Sequence, residues 1–239
     1  MNKDSKVLIL DIEWRPALAY VWRMWDVNIA PNQLIDHGNM LCFCAHWEGS
    51  KEFLFYSEWV DGRKGMAQAA LDLLSEADAV VTYNGDKYDL PKITGEILLA
   101  GLAPPPVVTS IDVIKAVKKF GFNMNRLAYI GPLLGLGGKV KHEGFDLWKD
   151  VMAGKPAAQA KMQKYCTQDV RLLAKLYAKI KPFIRNHPHM GEKNKPDNCG
   201  ACGSDKMQNR GFRRTKSFKI QRVQCQTCGS WADGKRTKL

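Results

Sequence analysis

Apolar runs alternate with amphipathic stretches over the first 184 residues of the chain. Residues 7–14 (VLILDIEW) form an almost continuous aliphatic run, typical of a central strand buried on both faces, although two acids interrupt it. The next two strand-like runs flank a polar segment at residues 48–51, which predicts a hairpin. These two runs and the later predicted elements are strands 40–47 and 52–56, helix 66–77, strand 79–83, helix 89–100, strand 107–111 and helix 157–180.

The order of these elements predicts an α/β fold. Strands that alternate with helices form three layers, and a mixed central sheet with parallel late strands fits an RNase H-like domain. With 239 residues, the chain is long enough for one sizeable core and a small additional module. We therefore expect an RNase H-like domain over residues 1–184, a linker over 185–197 and a small C-terminal module over 198–239.

Residues 15–39 interrupt the α/β pattern between the first predicted strand and the hairpin. This insertion contains Tyr20, Trp22 and Trp25 together with two prolines. Two interpretations fit its composition. The aromatic side chains either pack into the core, as clustered aromatics commonly do, or form a lid or a surface on which nucleic-acid bases stack.

The positive charge is concentrated in the C-terminal part of the chain. The formal net charge is +12; residues 1–184 carry 23 basic and 20 acidic residues, and residues 185–239 carry 13 basic and 4 acidic residues. This excess favours a polyanionic partner. No apolar run approaches the roughly 20 residues of a transmembrane helix, and the N-terminus lacks the features of a secretory signal. We therefore expect a cytoplasmic protein with no membrane partner.

The two acids in the first predicted strand are Asp11 and Glu13. Residues two apart in a strand point to the same face of the sheet, so their carboxylates would repel each other. In an apolar strand this arrangement is costly unless a cation compensates, and carboxylate oxygens favour Mg²⁺ or Mn²⁺. Alternatively, the strand ends at Leu10 and water solvates both acids.

A third acid lies where a predicted strand runs into a helix, in the segment YNGDKYD at residues 83–89. Asp89 is expected at the N-terminus of that helix, where a carboxylate can cap exposed backbone N–H groups. This structural role would be sufficient for an isolated Asp. Asp86 competes with Asp89 for any catalytic role.

A fourth acid interrupts an apolar stripe on the predicted helix 157–180. Asp169 lies within this stripe, and Tyr165, four residues earlier, lies on the same face. A carboxylate on a core-facing stripe requires a partner. The partner is either a metal ion or a neighbouring base, with Arg171 and Lys175 available.

Together these residues resemble the DEDD exonuclease superfamily, in its tyrosine-bearing branch, which includes the proofreading domains of B-family DNA polymerases. The resemblance covers roughly residues 6–181. The segment of residues 111–148 also looks like that of stand-alone members of the family, and no catalytic role is carried over there. The family motifs D-x-E, N-x-x-x-[FY]-D and Y-x-x-x-D are matched by Asp11 and Glu13, by Asn84, Tyr88 and Asp89, and by Tyr165 and Asp169.

This resemblance implies a 3′-to-5′ exonuclease that uses two Mg²⁺ or Mn²⁺ ions about 4 Å apart. Asp11 would bridge the two ions, and Glu13 and Asp169 would complete the ion that ionises the attacking water. Asp89 would assist the second ion, and Tyr165 would orient the nucleophile. The second motif also favours Asp89 over Asp86 as the catalytic acid, and Asn84 is predicted to contact nucleic acid.

The C-terminal part contains two C-x2-C pairs separated by 22 residues, each followed by a glycine. Four thiolates at such spacing predict a tetrahedral structural Zn²⁺ in a zinc ribbon. The alternatives are a pair of disulfides or a redox C-x-x-C pair. The four predicted ligands are Cys199, Cys202, Cys225 and Cys228.

The segment between the two cysteine pairs mixes basic and aromatic residues, and residues 206–232 contain no acid. Such a hairpin can place cations along phosphates and stack rings on bases. Alternatively, the ribbon docks onto a protein and its basic residues keep it soluble. The predicted nucleic-acid contacts are Arg210, Phe212, Arg213, Arg214, Lys216, Phe218, Lys219 and Arg222.

The main hypothesis from sequence is therefore an exonuclease that acts on a single-stranded 3′ end, with the ribbon adding affinity. The likeness to proofreading domains favours DNA over RNA. Two other hypotheses are a structure-specific endonuclease on the same scaffold and a nucleic-acid-binding accessory protein of recombination or replication that lacks catalysis. The sequence identifies no protein partner.

Overall fold

A computed structural model describes residues 5–184, 187–190 and 197–239 of the chain. Short 3₁₀ turns at Pro31–Gln33, Lys118–Phe120 and Lys181–Phe183 supplement the regular elements. The strands are β1 (Val7–Trp14), β2 (Leu18–Ala19), β3 (Leu34–Asp36), β4 (Met40–Trp47), β5 (Leu54–Ser57), β6 (Ala79–Thr82), β7 (Thr109–Asp112), β8 (Met207–Arg214), β9 (Phe218–Cys225) and β10 (Trp231–Lys238). The α-helices are α1 (Glu58–Glu76), α2 (Asp89–Leu99), α3 (Val113–Val117), α4 (Leu127–Leu133), α5 (Phe145–Met152) and α6 (Pro156–Ile180).

The central sheet has five strands in the order β5-β4-β1-β6-β7. Strand β1 pairs antiparallel with β4 and parallel with β6, β4 pairs antiparallel with β5, and β6 pairs parallel with β7. The predicted mixed sheet with parallel late strands is therefore confirmed. Because β1 lies at its centre, helices can cover both faces of this strand.

Helices cover the two faces of the sheet with separate apolar cores. Side chains of β1 alternate between them, as the pleat requires. Leu8 and Leu10 join the core formed with α1 and α2, whereas Val7 and Ile9 join the core formed with α6. The predicted three-layer α/β architecture is thus confirmed, and α6 lies against the face to which odd-numbered residues of β1 point.

Two predicted elements have different limits in the structure. Helix α1 begins at Glu58 rather than at residue 66, and it contains a kink at Gly62, where φ is +68°. The apolar periodicity reveals only the part after the kink, because the residues buried in this helix begin at Met66. Strand β7 begins at Thr109 rather than at residue 107, where Val107 is fully exposed.

The insertion of residues 15–39 forms a small antiparallel pair of β2 and β3 outside the central sheet. Trp22 is 98% exposed and Trp25 is 79% exposed. The interpretation that these aromatics belong to the core is therefore wrong. The sequence could not reveal this, because a cluster of aromatic residues has the same composition whether it faces the core or the solvent.

The C-terminal part contains a separate antiparallel sheet of order β10-β9-β8. Most of the predicted linker at residues 185–197 lies outside the described residues, so the boundary at residue 184 stays a prediction. Among the helices of the described segments, none is both long and apolar enough to cross a membrane.

Candidate active site

Asp11 and Glu13 lie on the central strand of the sheet. Strand β1 continues through both residues as far as Trp14, with Asp11 opposite Cys44 and Glu13 opposite Cys42 of β4. The alternative in which the strand ends before the acids is therefore wrong. By the alternation along β1, both side chains point to the face covered by α6. Glu13 is buried, and Asp11 is partly buried.

Asp89 is the first residue of α2, and its side chain is buried. Its Oδ1 atom accepts a hydrogen bond of 3.1 Å from the backbone N–H of Ile12, which holds the start of α2 against the strand that carries the first two acids. Asp86 instead accepts hydrogen bonds from Lys115 and Ser110 at the edge of the sheet. The structure thus places Asp89, rather than Asp86, beside β1.

The turn that delivers Asp89 depends on Asn84 and Gly85. Asn84 adopts a left-handed conformation with φ of +70°, and its N–H donates to Asp112 Oδ1 at 2.7 Å. A Cβ atom at Gly85 would lie 2.3 Å from Thr82 Oγ1, so only glycine fits this turn without a shift. The contact of Asn84 with nucleic acid stays a prediction.

Tyr165 and Asp169 lie one turn apart on α6, and both are buried. Lys139 Nζ lies 2.5 Å from Asp169 Oδ2 and 3.5 Å from Tyr165 Oη. The basic partner of Asp169 is therefore Lys139, from the loop between α4 and α5, and neither Arg171 nor Lys175. Four acids from three elements, Asp11, Glu13, Asp89 and Asp169, form what we call the acid cluster.

Burial raises the pKa of every carboxyl group in the acid cluster, and repulsion from the other acids of the cluster adds to the shift at Asp11 and Glu13. Burial, followed by repulsion from Asp169, raises the pKa of Glu13 to about 8. Burial raises the pKa of Asp89 to about 6, although the N–H of Ile12 opposes this shift. The pKa of Asp11 is raised well above its ordinary value by burial and by the other three carboxylates. Burial also raises the pKa of Asp169, against the opposing charge of Lys139.

The donor set of the acid cluster fits divalent metal ions. Asp169 Oδ1 is buried and receives no hydrogen bond from any described residue, so a lone pair is free to bind a cation. Ligand atoms of Asp11, Glu13 and Cys166 all lie within 4.8 Å of one another. Carboxylate oxygens are the ligands that Mg²⁺ and Mn²⁺ prefer, and such an ion would relieve the repulsion that raises these pKa values.

Sequence reasoning missed the residues that surround Tyr165. Besides Lys139, the rings of His142 and Trp148 contact the ring of Tyr165, with centroids 4.8 and 6.0 Å away. The thiol of Cys166 donates a 3.7 Å hydrogen bond to the backbone oxygen of Asp11. Nothing in the local sequence pattern signals these contacts, because the loop containing Lys139 and His142 shows no periodicity and reaches α6 only through the tertiary fold.

The four predicted zinc ligands come together in the C-terminal sheet. Cys199 Sγ lies 3.6 Å from Cys228 Sγ, Cys202 Sγ lies 3.6 Å from Cys225 Sγ, and all four sulfurs lie within 4.8 Å of one another. Sulfurs around a tetrahedral Zn²⁺ with bonds of about 2.3 Å would be about 3.8 Å apart, whereas a disulfide bond is about 2.05 Å long. All four cysteines are free. The disulfide alternative is therefore wrong, and the cluster is compatible with a zinc-binding module.

The basic and aromatic residues of this module divide between the two faces of its sheet. Phe212, Arg214 and Lys219 share one face, since Arg214 is paired with Lys219 and Lys219 Nζ lies 4.2 Å from the centroid of the Phe212 ring. Arg213 and Arg222 lie on the other face, in contact with two residues that sequence reasoning missed. These two residues are Asp233, which forms an ion pair with Arg213, and Trp231, whose ring contacts Arg222.

The remaining predicted contacts are also exposed. Arg210 lies in β8, Lys216 in the turn after it, and Phe218 at the start of β9 on the same face as Arg222. The predicted set therefore does not form one continuous stripe. Strand alternation splits it into two smaller surfaces, which the uninterrupted basic segment does not reveal.

Comparisons with known proteins agree with this fold. A family model described as the RNase_H superfamily matches residues 34–181, which include Asp89, Tyr165 and Asp169 but not the acids of β1. Among solved structures, the family B DNA polymerase from the hyperthermophilic archaeon Pyrobaculum calidifontis is similar, with a TM-score of 0.57 and 16% identity over 75% of this chain. The match covers 25% of that polymerase, so this chain spans about a quarter of its length. No curated protein matches the sequence.

The segment matched by the family model covers more than half of the chain and contains β3 to α6. The structural similarity to the polymerase extends over 75% of the chain. On the strength of the family match, the chain belongs to the RNase_H superfamily.

Proposed function

We propose that the chain is a metal-dependent 3′-to-5′ exonuclease that hydrolyses phosphodiester bonds of nucleic acid. The observation that carries this proposal is the acid cluster. Carboxylates from β1, α2 and α6 converge at one place although they are far apart in sequence, and buried Asp169 Oδ1 is left without a donor among the described residues. Such an arrangement is costly for stability alone and is suited to binding cations.

Asp11, Glu13, Asp89 and Asp169 would hold two Mg²⁺ or Mn²⁺ ions. When bound, divalent ions of this kind polarise a phosphodiester and make water a better nucleophile at neutral pH. The protein contributes fixed carboxylates on rigid elements, and the N–H of Ile12 holds Asp89 in place. Because α6 covers this face of β1, the acids are partly shielded from water and their interaction with a cation is strengthened.

Tyr165 acts in this proposal as a hydrogen-bond donor. Burial, together with the charge of Asp169, raises the pKa of its hydroxyl group, so the phenol stays protonated at neutral pH. A protonated phenol can orient a water molecule or a phosphate oxygen but cannot remove a proton. Lys139, beside both Tyr165 and Asp169, places a positive charge where a phosphate would enter.

The 3′-to-5′ direction and the preference for DNA rest on two resemblances. The order and spacing of the three acid motifs resemble those of tyrosine-bearing DEDD exonucleases. The fold resembles a family B DNA polymerase, whose name supports DNA as the substrate. A single-stranded 3′ end fits a partly buried centre of this kind better than the interior of a duplex, because one strand end can enter where a paired helix cannot.

The C-terminal module supports substrate binding in this proposal. One Zn²⁺ held by Cys199, Cys202, Cys225 and Cys228 would stabilise the three-stranded sheet, as expected for a small unit with few buried apolar residues. Residues 185–239 carry 13 of the 36 basic residues and only 4 of the 24 acidic residues. The two basic faces would bind the phosphate backbone with an affinity that falls as salt rises.

The test is digestion of 5′-labelled single-stranded and duplex DNA and RNA with Mg²⁺ or Mn²⁺. We expect a ladder that shortens one nucleotide at a time from the 3′ end, and Asp11→Ala should abolish it. Internal fragments would instead indicate an endonuclease, and binding without any cleavage would indicate an accessory protein. Metal analysis of the purified protein should find one zinc ion per chain, and Cys225→Ser should lose it.

A truncation after Ile184 tests the proposed role of the C-terminal module. We expect weaker binding of nucleic acid and a smaller dependence of that binding on salt. A truncated protein that binds with unchanged affinity and salt dependence would show that the module does not contribute to substrate binding. The acid cluster would then act alone.

A further inference from the structure

The insertion between β1 and β4 exposes an unusual amount of apolar surface. Large apolar side chains with 48–98% exposure cluster within sixteen residues of chain. Soluble proteins seldom display such a patch unless it binds something. These side chains are Tyr20, Val21, Trp22, Met24, Trp25, Ile29 and Ile35. We name Tyr20, Trp22, Met24 and Trp25 the aromatic platform.

Specific hydrogen bonds stabilise the fold of this insertion. In that fold the aromatic rings face solvent. Strands β2 and β3 pair, and Tyr20 N–H donates to the Gln33 backbone oxygen at 3.0 Å. The side chain of Gln33 donates to the Tyr20 oxygen at 2.9 Å and accepts from Ala30 N–H at 2.8 Å. Arg23 donates to the Asp26 oxygen at 3.1 Å. The base of the platform and the turn from Arg23 to Asp26 are therefore held before any partner arrives, which reduces the entropy lost on binding.

The platform is attached directly to the strand that carries the first two acids. Arg15 forms ion pairs with Asp36 and Glu58, and its N–H donates to the Asn39 oxygen, which closes the base of the insertion. Nine residues of fully extended chain span at most about 30 Å, so Trp22 lies within that distance of Glu13. A single strand that ends in the acid cluster can therefore reach the platform.

Charge and side-chain chemistry favour unpaired bases as the occupant. Within residues 15–39, Arg15 and Arg23 balance Asp26 and Asp36, so this surface lacks the excess of cations that phosphates require. Exposed indole and phenol rings instead match the flat faces of bases, which stack on aromatic side chains without regard to sequence. Lys92 of α2 adds a cation where the insertion leaves β1, since its Nζ lies 3.4 Å from the centroid of the Trp14 ring, and it can bind a phosphate of the same strand.

We propose that the aromatic platform stacks unpaired bases of the strand whose 3′ end enters the acid cluster. The inference rests on the proposed exonuclease function and specifies its substrate as single-stranded rather than paired. Bases stacked at the platform hold the strand while the terminal nucleotide is hydrolysed. In a duplex only the terminal pair exposes one base face, and the interior bases cannot reach the rings, so the platform favours a single strand over a blunt duplex end.

The test compares Trp22→Ala combined with Trp25→Ala against a matched control, Leu98→Ala combined with Leu99→Ala. The control removes two large exposed side chains, 76% and 72% exposed, at the opposite end of α2 from Asp89. For oligo(dT), the platform variant should raise KM at least tenfold and leave kcat within about twofold, and the control should change neither. Trp22→Phe combined with Trp25→Phe should restore most of the binding, because a phenyl ring still stacks.

A small chromogenic diester, thymidine 5′-(p-nitrophenyl phosphate), separates the platform from the chemistry. It has no neighbouring base to stack, so the platform variant should hydrolyse it at the wild-type rate. Binding is measured separately in protein that also carries Asp11→Ala, which should not cleave the strand. The signal is the quenching of tryptophan fluorescence by oligo(dT). A further outcome is that the wild type binds oligo(dT) through the platform and cleaves neither substrate. That result would contradict the proposed exonuclease function and would still support base stacking at the platform.

Three results would overturn the platform. These are an unchanged KM for oligo(dT) in the double tryptophan variant, an equal rise of KM in the leucine control, and equal affinity for single strands and blunt duplexes in the wild type. Light scattering gives a fourth outcome. Wild-type protein that self-associates and becomes monomeric in the tryptophan variant would identify the exposed rings as an interface between copies of the chain instead.

Discussion

The pKa of Glu13 is about 8 because its carboxyl group is buried and faces Asp169. The ordinary pKa of this group is 4.5, so between these two pH values the folded protein holds a proton that the unfolded chain releases. The free energy of unfolding therefore falls as pH rises from about 4.5 to about 8 when no divalent metal is bound. A bound cation would replace this proton and reverse the loss.

We predict that Glu13→Gln makes the protein more stable at pH 8 in buffer without Mg²⁺ or Mn²⁺, by about 1–3 kcal/mol. The gain should disappear below pH 4.5, where the wild-type carboxyl group becomes protonated in both states. Urea unfolding at the two pH values measures this difference. Added Mn²⁺ should stabilise the wild type more than the variant, and identical unfolding curves at pH 8 would rule out this account of the acid cluster.

The raised pKa of Tyr165 predicts a modest effect for its removal. A residue that only donates a hydrogen bond contributes less than a residue that holds metal, so Tyr165→Phe should lower kcat about 10- to 100-fold and Asp11→Ala more than 1,000-fold. Because the phenol stays protonated, the pH–rate profile of Tyr165→Phe should keep the wild-type shape. A profile that loses an alkaline limb in this variant would indicate that the tyrosine acts as a base.

At this scale, sequence reasoning found the acids but missed their neighbours. Asp11, Glu13 and Asp169 stand out because each interrupts an apolar pattern. Lys139 does not, since a lysine in a glycine-containing loop is unremarkable until the fold places it beside Asp169. A polar residue is noticeable where it interrupts the apolar periodicity of a strand or a helix. A loop has no such periodicity, so a functional residue there gives no signal in the sequence.

Among the elements, the turn between β6 and α2 is tightly constrained. Asn84 N–H donates to the Asp112 side chain, and Gly85 lies against the Thr82 side chain, so these contacts determine the direction in which α2 starts. This direction decides whether Asp89 meets the N–H of Ile12. The geometry of the acid cluster thus depends on a turn whose residues bear no catalytic group.

We predict opposite effects for two glycine substitutions. Gly85→Ala should destabilise the protein by about 1–3 kcal/mol and lower activity, because its Cβ would lie 2.3 Å from Thr82 Oγ1. Gly95→Ala, within α2, should stabilise the protein by about 0.5–1 kcal/mol, because its Cβ would meet no described atom within 4 Å. Thermal unfolding and nuclease assays of both variants check this pair. Equal stabilities would mean that the turn adapts without cost.

The strands of the central sheet were predictable because they are short, apolar and ordered as in an α/β domain. The limits of α1 were not, because its first turns are exposed and the kink at Gly62 separates them from the buried part. The insertion was also unpredictable. Its exposure depends on backbone hydrogen bonds between β2 and β3, which composition does not encode.

For the whole molecule, charge is distributed unevenly between the acid cluster and the C-terminal sheet. The basic faces of the C-terminal sheet can bind a polyanion. Divalent cations bound at the acid cluster would reduce the repulsion between that polyanion and the carboxylates. The predicted basic residues divide between two faces of the sheet, so each face can be tested separately. Arg214 and Lys219 form the simplest pair, because they are direct cross-strand neighbours.

We predict that Arg214→Ala combined with Lys219→Ala weakens binding of single-stranded DNA at least tenfold. The slope of the logarithm of affinity against the logarithm of salt concentration should fall by about 1.4, since each phosphate contact contributes about 0.7. Lys149→Ala combined with Lys155→Ala removes the same charge from another exposed region and should leave the slope unchanged. An equal change in both pairs would indicate that only net charge matters.

The central position of β1 also affects when the acid cluster can first form during synthesis. Asp11 leaves the ribosome before Asp169, which follows 158 residues later on α6, the helix that covers the same face of the sheet. Because translation proceeds from the N-terminus, a nascent chain that ends before Asp169 lacks one of the four carboxylates. In the proposed nuclease, nucleic acid near the growing polypeptide therefore meets no complete acid cluster until α6 has docked.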